Sequence, residues 1–154
     1  MIFQNKKFSI LFIFMVMFLF NSSRLAAVIL HSEKIRNYEV TVQINKNGTL
    51  TVNEVIDYQF GEEFKHGIYR DIPLRSKRFG FDVHKSFIKM NWIKRDGKDE
   101  EYTKNHFYEG IRYRIGSETE LVNLYKTESI YELNYDIYNA VFEKDGIYQV
   151  YYNA

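Results

Sequence analysis

Glu54 and Arg70 carry the most informative charges in this sequence of 154 residues. Glu54 shares the face of an alternating, strand-like segment with Val52 and Ile56, at a position where an apolar residue is expected. A carboxylate on the buried face of a strand is costly unless an opposite charge or a proton neutralises it. Arg70, in the next extended segment, is the expected partner. We therefore predict a partly buried ion pair that joins the two segments, with ligand binding as the alternative role.

Motifs for the common catalytic and cofactor chemistries are missing from the sequence. It has no cysteine and no Gly-x-Ser-x-Gly, Gly-x-x-x-x-Gly-Lys or Gly-x-Gly-x-x-Gly segment. The histidines at 31, 66, 84 and 106 are not spaced as metal ligands, although His84 and His106 are within reach of each other if they lie on neighbouring strands. We therefore predict no cofactor, no metal site and no enzymatic activity, with a hydrolase that uses dispersed carboxylates as an alternative.

The charge distribution argues against nucleic-acid binding. Residues 1–27 hold three basic residues and no acidic one, so the remainder keeps 18 of the 21 basic residues against 20 acidic ones, a net charge of −2. A nucleic-acid-binding domain normally carries a basic surface. One short basic run, residues 75–78, with Lys85 and Lys89 downstream, is a candidate contact for anionic lipid or cell-wall polymer. A solvated loop is the alternative interpretation of this run.

The N-terminal segment predicts export. A basic lead ends at Lys7, and the 13 residues from 8 to 20 are apolar except for Ser9. This run is too short for a membrane-spanning helix, which needs about 20 residues, and fits the apolar part of a signal peptide. We expect residues 1–27 to be a signal peptide cleaved near Ala27 or, alternatively, an uncleaved N-terminal anchor helix. In both cases residues 28–154 are exported to the extracytoplasmic side.

Two alternating segments predict a β-hairpin with a three-residue loop at residues 46–48. Both segments place their apolar residues at even positions. Directly opposed residues of a hairpin share a face, so a three-residue loop correctly opposes Ile44 to Leu50, whereas a two-residue loop would oppose residues of different faces. Gly48 then takes the left-handed position that is common in such loops.

Further strands follow along the exported part. Pro73, the only proline, favours the end or the edge of a strand because it lacks an N–H group. No segment has a sustained helical period, although residues 118–124 are ambiguous. Seven or eight strands separated by turn signals predict an all-β, antiparallel, immunoglobulin-like β-sandwich. The remaining predicted strands are 68–73, 83–93, 101–108, 111–115, 129–142 and 147–152, with a basic loop at 74–80.

Several motifs follow one another in an order that is typical of one family. They are Asn47-Gly48-Thr49-Leu50, His66-Gly67-Ile68-Tyr69-Arg70-Asp71-Ile72-Pro73, Ile111-Arg112-x-x-Ile115-Gly116 and Tyr131-x-Leu133-x-Tyr135-x-Ile137. With these motifs, residues 33–154 resemble the N-terminal domain of the bacterial predicted membrane proteins catalogued as domain of unknown function 2207 (DUF2207). The resemblance implies a signal segment, an extracytoplasmic β domain and transmembrane helices further along the chain. It implies no established activity or ligand.

The sequence therefore predicts a non-enzymatic extracytoplasmic module of a bacterial membrane protein that contacts envelope proteins or polymers. A carbohydrate-binding domain that uses surface tyrosines and Trp92 is the first alternative, and an envelope hydrolase is the second. The chain ends at Ala154, just after an alternating aromatic strand, whereas the domains of the family normally continue. We therefore expect the sandwich domain to be incomplete at its C-terminus.

Overall fold

Antiparallel strands form the described part of this chain. A computed structural model describes residues 32–77, 83–144 and 146–152, and the predicted signal or anchor segment, residues 1–27, lies outside them. The described residues contain no helix, so the predicted all-β, antiparallel class is confirmed. The strands are β1 (Lys34–Ile44), β2 (Leu50–Gln59), β3 (Ile68–Pro73), β4 (Arg75–Lys77), β5 (Val83–Lys85), β6 (Phe87–Arg95), β7 (Lys98–Asp99), β8 (Tyr102–His106), β9 (Gly110–Ile115), β10 (Glu128–Tyr138), β11 (Val141–Lys144) and β12 (Ile147–Val150).

The strands form one five-stranded sheet and three smaller ones. The five-stranded sheet has the order β1-β2-β10-β6-β7, and the three-stranded sheet has the order β3-β9-β8. The strands β4 and β5 form a pair, as do β11 and β12. In the largest sheet, β2 and β10 alternate buried and partly exposed residues along most of their length. This alternation is expected of strands that turn one face to a core.

One hydrophobic core draws side chains from both the five-stranded and the three-stranded sheet. Aliphatic residues dominate it, and buried tyrosines fill the larger spaces between them. The larger sheet contributes Leu50, Val52, Ile56, Ile93, Tyr131, Leu133, Tyr135 and Ile137. The smaller sheet contributes Ile68, Ile72, Ile111, Tyr113 and Ile115.

The β1–β2 hairpin has the register that the sequence predicts. Ile44 lies opposite Leu50, and the N–H of Asn45 donates a hydrogen bond of 2.8 Å to the carbonyl of Thr49. This bond closes a three-residue loop. Gly48 in that loop has a φ of 77°, a conformation that glycine adopts without strain and β-branched residues resist.

The predictions for residues 74–80 and 83–93 are wrong in detail. The predicted loop 74–80 contains the short strand β4, which pairs with β5. The predicted strand 83–93 is interrupted at Ser86, whose N–H donates to the carbonyl of Leu74. Both differences come from contacts between segments, which the local pattern of apolar residues does not encode.

The predicted strand 129–142 is also divided. It ends at Tyr138 because Asn139 has a φ of 58°, so the chain turns before the next strand begins. Asparagine is one of the few residues besides glycine that adopt this conformation readily. The ambiguous segment 118–124 contains turns and no helix. These interruptions raise the number of strands above the predicted seven or eight.

Candidate functional site

Glu54 is buried on the inner face of β2, with 1% of its surface exposed. The alternation of β2 dictates this orientation, since Val52 and Ile56 on the same face are also buried. Its neighbours across the sheet are Val40 on β1 and Leu133 on β10. These surroundings are apolar, so the carboxylate requires polar partners from elsewhere in the fold.

Arg70 of β3 is the main partner of Glu54. Its Nε donates to Oε2 of Glu54 at 2.8 Å, and its Nη2 donates to Oε1 at 2.7 Å. The same Nη2 donates to the hydroxyl of Tyr38 at 2.8 Å, and Nη1 donates to the carbonyl of Asp71. The structure thus brings together the two residues that the sequence suggests as a pair, and the pair links the two larger sheets. Its contribution to stability stays a prediction.

Two further tyrosines complete the surroundings of the carboxylate. The hydroxyl of Tyr135 donates to Oε1 of Glu54 at 2.5 Å, and that of Tyr152 donates to the same oxygen at 3.3 Å. We call Glu54, Arg70, Tyr38, Tyr135 and Tyr152 the Glu54 cluster. Both oxygens of the carboxylate and all three nitrogens of the guanidinium have hydrogen-bond partners. Such a satisfied arrangement suits a structural role.

The Glu54 cluster holds its charges at neutral pH. Burial by itself would raise the pKa of Glu54, but the hydrogen bonds and charge of Arg70 and the hydrogen bond from Tyr135 hold it below the usual value. Burial would lower the pKa of Arg70, yet its hydrogen bonds and charge interaction with Glu54 raise it. Burial and then the charge of Glu54 raise the pKa of Tyr135, so its hydroxyl keeps its proton and remains a donor. The cluster is therefore an ion pair held by neutral tyrosines.

Sequence reasoning missed the tyrosines of the Glu54 cluster. Tyr38 lies opposite Ile56 and Tyr135 lies opposite Val52, so each is two register positions from Glu54 and on the same face of the sheet. The alternating pattern contained that signal, because the face of each tyrosine follows from its even or odd position. Tyr152 is 98 residues from Glu54 in the chain, and no local pattern links the two.

A cleft of about 310 Å³ lies beside the Glu54 cluster. Aromatic and apolar groups dominate its wall, and the two charged groups, Arg70 and Asp71, have partners. Asp71 accepts two hydrogen bonds of 2.7 Å from Arg112. The cleft therefore offers apolar contact and, among the described residues, no unpaired charge. Its lining residues are Ile35, Tyr38, Ile56, Tyr58, Ile68, Tyr69, Arg70 and Asp71.

Gly48 and Pro73, the other predicted structural residues, lie outside the Glu54 cluster. Pro73 is the last residue of β3, an edge strand, and lies opposite Gly110. Both a strand end and an edge tolerate the missing N–H. Sequence reasoning missed Gly67, which precedes β3. A Cβ at Gly67 would lie 1.8 Å from the carbonyl oxygen of Ile115, so the close approach of the two chains requires glycine there.

The histidines are not gathered into one site. The Nδ1 of His66 donates a hydrogen bond of 3.0 Å to the carbonyl of Glu120. His84 is on β5, which pairs with β4, whereas His106 is on β8, which pairs with β9, so the two residues are not on paired strands. His31 lies outside the described residues. Within the part of the chain that the structure describes, no group of His, Asp or Glu side chains is placed to hold a metal ion.

A row of amide side chains crosses the outer face of the five-stranded sheet beside Trp92. Asn91 donates to Asn134 at 2.8 Å, and Asn134 donates to Asn53 at 2.7 Å. Trp92 lies directly opposite Asn134 and is partly exposed. An exposed ring beside amide groups can stack on a sugar and form hydrogen bonds with its hydroxyls.

One family model matches this chain. It is described as the N-terminal domain of a predicted membrane protein (DUF2207), and it covers residues 34–154. The resemblance inferred from the motifs is thereby confirmed. No curated protein and no solved structure matches the chain. Among the described residues, the structure contains no helix with the length and apolar character to cross a membrane.

Proposed function

The chain belongs to the DUF2207 family of predicted membrane proteins, and from this premise we propose that residues 28–154 are a non-enzymatic binding module on the extracytoplasmic side of a cell membrane. The family supports the association with a membrane. The proposed side rests on Lys6 and Lys7, which precede the apolar residues 8–20 and favour retention of the N-terminus in the cytoplasm. Residues 1–27 then serve as a signal peptide or an anchor helix.

The closed Glu54 cluster supports a non-enzymatic role. A general acid or base needs a proton site that a substrate can reach. Both carboxylate oxygens of Glu54 are already engaged by Arg70 and Tyr135, and the side chain is buried. This buried charge pair is therefore better suited to hold the sheets together than to act on a substrate.

We also propose that the fold is an immunoglobulin-like sandwich. The shared core of the five-stranded and three-stranded sheets supports two packed layers. The pair Glu54–Arg70 joins one layer to the other. In this arrangement the edge strands β1 and β3 lie beside the cleft, since both contribute to its lining.

The exposed edge strand β1 is the observation that carries the binding role. This strand of 11 residues pairs with β2 alone in the described part of the chain. Because Asn45 bonds to Thr49 across the hairpin, the even residues of β1 near the loop, such as Val40 and Val42, direct their main-chain groups away from β2. A row of unpaired N–H and C=O groups is a template for an added strand. We infer that an extended segment of an envelope protein pairs with β1.

Single-cysteine labelling tests the location and the contact at β1, because the chain has no native cysteine. Thr41→Cys places a thiol on β1, and Lys98→Cys places a control thiol at another exposed position, on β7 at the other edge of the same sheet. Intact cells treated with a membrane-impermeant maleimide should label Lys98→Cys as fully as lysed cells do. Thr41→Cys should react more slowly in cells than in the purified protein, because the partner covers β1.

Two results would contradict different parts of this proposal. Labelling of Lys98→Cys only after lysis would place the domain on the cytoplasmic side. Equal reaction rates of Thr41→Cys in cells and in purified protein would contradict the proposed contact at β1 but not the proposed location. Mass spectrometry of the mature N-terminus distinguishes a cleaved signal peptide, with a start near residue 28, from an anchor that begins at Met1.

Glycan binding is a second candidate function, favoured by the row of amides beside Trp92. Trp92 is the only tryptophan, so its fluorescence reports this face alone. Saturable quenching by cell-wall glycan fragments, weakened by Asn134→Ala, is the expected result. An emission spectrum that does not respond to the fragments would reject this candidate.

A further inference from the structure

A second cavity, of about 410 Å³, lies where three connections of the fold meet. These are the turn between β8 and β9, the junction of β3 with β4 and the junction of β5 with β6. We call this space the basic–aromatic cavity. The name refers to five residues of its lining, Arg75, Lys85, Phe87, Phe107 and Tyr108. It belongs neither to the Glu54 cluster nor to the edge strand β1.

Main-chain hydrogen bonds fix the three connections to one another. The N–H of Leu74 donates to the carbonyl of Glu109 at 2.8 Å, and the N–H of Ser86 donates to the carbonyl of Leu74 at 2.8 Å. The N–H of Phe107 donates a hydrogen bond of 3.1 Å to the carbonyl of Gly110, which closes the β8–β9 turn. Hydrogen bonds within the fold thus hold the backbone around the cavity, and the cavity is a preformed feature.

Among the described residues, Arg75 and Lys85 of the basic–aromatic cavity have no acidic partner. The guanidinium of Arg75 lies 4.6 Å from the ring centroid of Tyr108, and the ammonium of Lys85 lies 5.4 Å from that of Phe87. Neither cation forms an ion pair with any of the described residues. The described lining residues include no acidic one, and the exposed Glu109 contributes its carbonyl to the neighbouring backbone hydrogen bonds. Arg75 and Lys85 are therefore two positive charges of the described lining that a ligand can reach.

The aromatic residues around these cations are exposed to solvent. The exposed fractions are 54% for Phe87, 41% for Phe107 and 75% for Tyr108. A phenylalanine ring cannot form hydrogen bonds with a polar polymer, and it gains free energy only where an apolar environment replaces water. Aromatic residues next to lysine and arginine are the usual combination at the boundary between lipid headgroups and acyl chains.

We propose that the basic–aromatic cavity docks onto the surface of an anionic bilayer. Arg75 and Lys85 bind lipid phosphates, while Phe87, Phe107 and Tyr108 enter the interfacial layer. The proposal rests on the proposed function, because it gives the binding module a defined contact with the membrane that carries it. Charge complementarity selects anionic over neutral lipid, and the exposed phenylalanines select a bilayer over a soluble anion.

Fluorescence of a dye at a single cysteine tests this contact in the full chain. Glu109→Cys places the dye beside the cavity. Asp99→Cys removes one carboxylate as well, but places the dye on β7, which pairs with the end of β6 far from Phe87. Each protein is reconstituted into vesicles with phosphatidylglycerol and into vesicles of phosphatidylcholine alone, both with spin-labelled lipid as the quencher. We expect strong quenching at position 109 only with phosphatidylglycerol, and little at position 99 in either case.

Charge-matched variants identify the groups responsible. Arg75→Gln with Lys85→Gln should weaken the contact about thirtyfold, because each cation near an anionic surface contributes about fivefold. Lys46→Gln with Lys98→Gln makes the same change of charge at exposed positions outside the cavity and should leave quenching unchanged. Phe87→Ser keeps both cations and should reduce quenching. The emission of Trp92 in each variant checks that the fold is retained.

Three results would overturn the proposal. These are equal quenching in both kinds of vesicle, quenching that survives Arg75→Gln with Lys85→Gln, and a dye at position 109 that responds to inorganic polyphosphate but not to vesicles. The last result would indicate a soluble anion as the ligand. None of them changes the labelling of Lys98→Cys in cells, so failure of the lipid contact is distinguishable from failure of the extracytoplasmic assignment.

Discussion

Arg70 and Asp71 are consecutive residues of β3, and each forms a two-point ion pair with a residue of another strand. Arg70 contacts Glu54 on β2, and Asp71 contacts Arg112, which lies directly opposite on β9. The shortest bond is 2.7 Å in both pairs. Their surroundings differ. The side chains of Arg70 and Glu54 are 15% and 0% exposed, whereas those of Arg112 and Asp71 are 53% and 41% exposed.

Burial decides what these two pairs contribute to folding. Water and salt screen an exposed pair, and either partner is solvated when the other is removed. A buried pair has lost that solvation, so removal of one partner leaves an uncompensated charge in the core. The two pairs of β3 therefore have the same chemistry and different consequences. The Glu54–Arg70 pair connects one sheet to another, whereas the Asp71–Arg112 pair lies on the surface of a single sheet.

Loss of the buried carboxylate should have the largest effect. Glu54→Gln keeps nearly the same shape but leaves Arg70 charged without its counterion. We expect the free energy of unfolding to fall by about 3–5 kcal/mol. Urea denaturation followed by the fluorescence of Trp92, the only tryptophan, measures the change.

A double variant provides the control for this prediction. Glu54→Gln combined with Arg70→Met removes both charges, so it should cost less than the sum of the two single changes. Wild-type stability in Glu54→Gln would remove the idea that the pair supports the fold. Additive costs would show that the two residues act independently.

The buried pair should also make stability depend on pH. The pKa of Glu54 is lowered in the folded state, by Arg70 above all against the opposing effect of burial. A carboxyl group with a lowered folded pKa contributes stability above its unfolded pKa, about 4.3, and loses that contribution as the pH falls through the folded pKa. The difference in unfolding free energy between wild type and Glu54→Gln should therefore shrink below about pH 4. A difference that stays constant down to about pH 2 would contradict this assignment.

The Glu54–Arg70 pair can be predicted from the sequence because period-two alternation fixes the face of each residue. Glu54 is conspicuous as a charge on an apolar face, and Arg70 is the basic residue of the next strand. The hairpin register follows from the same rule together with the position of Gly48. These features are local, so neighbouring residues are enough to predict them.

Features made by distant segments could not be predicted in this way. Tyr152 reaches Glu54 across 98 positions of the chain. The strands β4 and β5 exist through mutual pairing, and the basic–aromatic cavity forms where three separate connections meet. The sequence reveals the basic run at residues 75–78 but not the aromatic rings that the fold places beside Arg75. Packing between segments, rather than propensity, sets these features.

Two tyrosines of β10 extend the comparison, with an expected loss of unfolding free energy between those of the two ion pairs. Tyr135 and Tyr131 are both fully buried, but the hydroxyl of Tyr135 donates to Glu54, whereas that of Tyr131 has no hydrogen-bond partner among the described residues. Tyr135→Phe should cost about 1.5–3 kcal/mol, because the lost bond involves a charged acceptor. Tyr131→Phe should be neutral or stabilising, since it removes an unsatisfied polar group. Equal losses in urea denaturation would contradict this difference.

The exposed pair should give the smallest effect. Asp71→Asn removes the charge from the Arg112 pair and should lower the free energy of unfolding by about 0–1 kcal/mol, less at high salt. The pKa of Asp71 is also lowered, first by its hydrogen bond from Arg112, but solvent reaches both side chains and limits the effect on stability. Arg70 and Asp71 are neighbours on β3, so each variant weakens an ion pair of that same strand. If Asp71→Asn cost as much as Glu54→Gln, burial would not be what separates the two pairs.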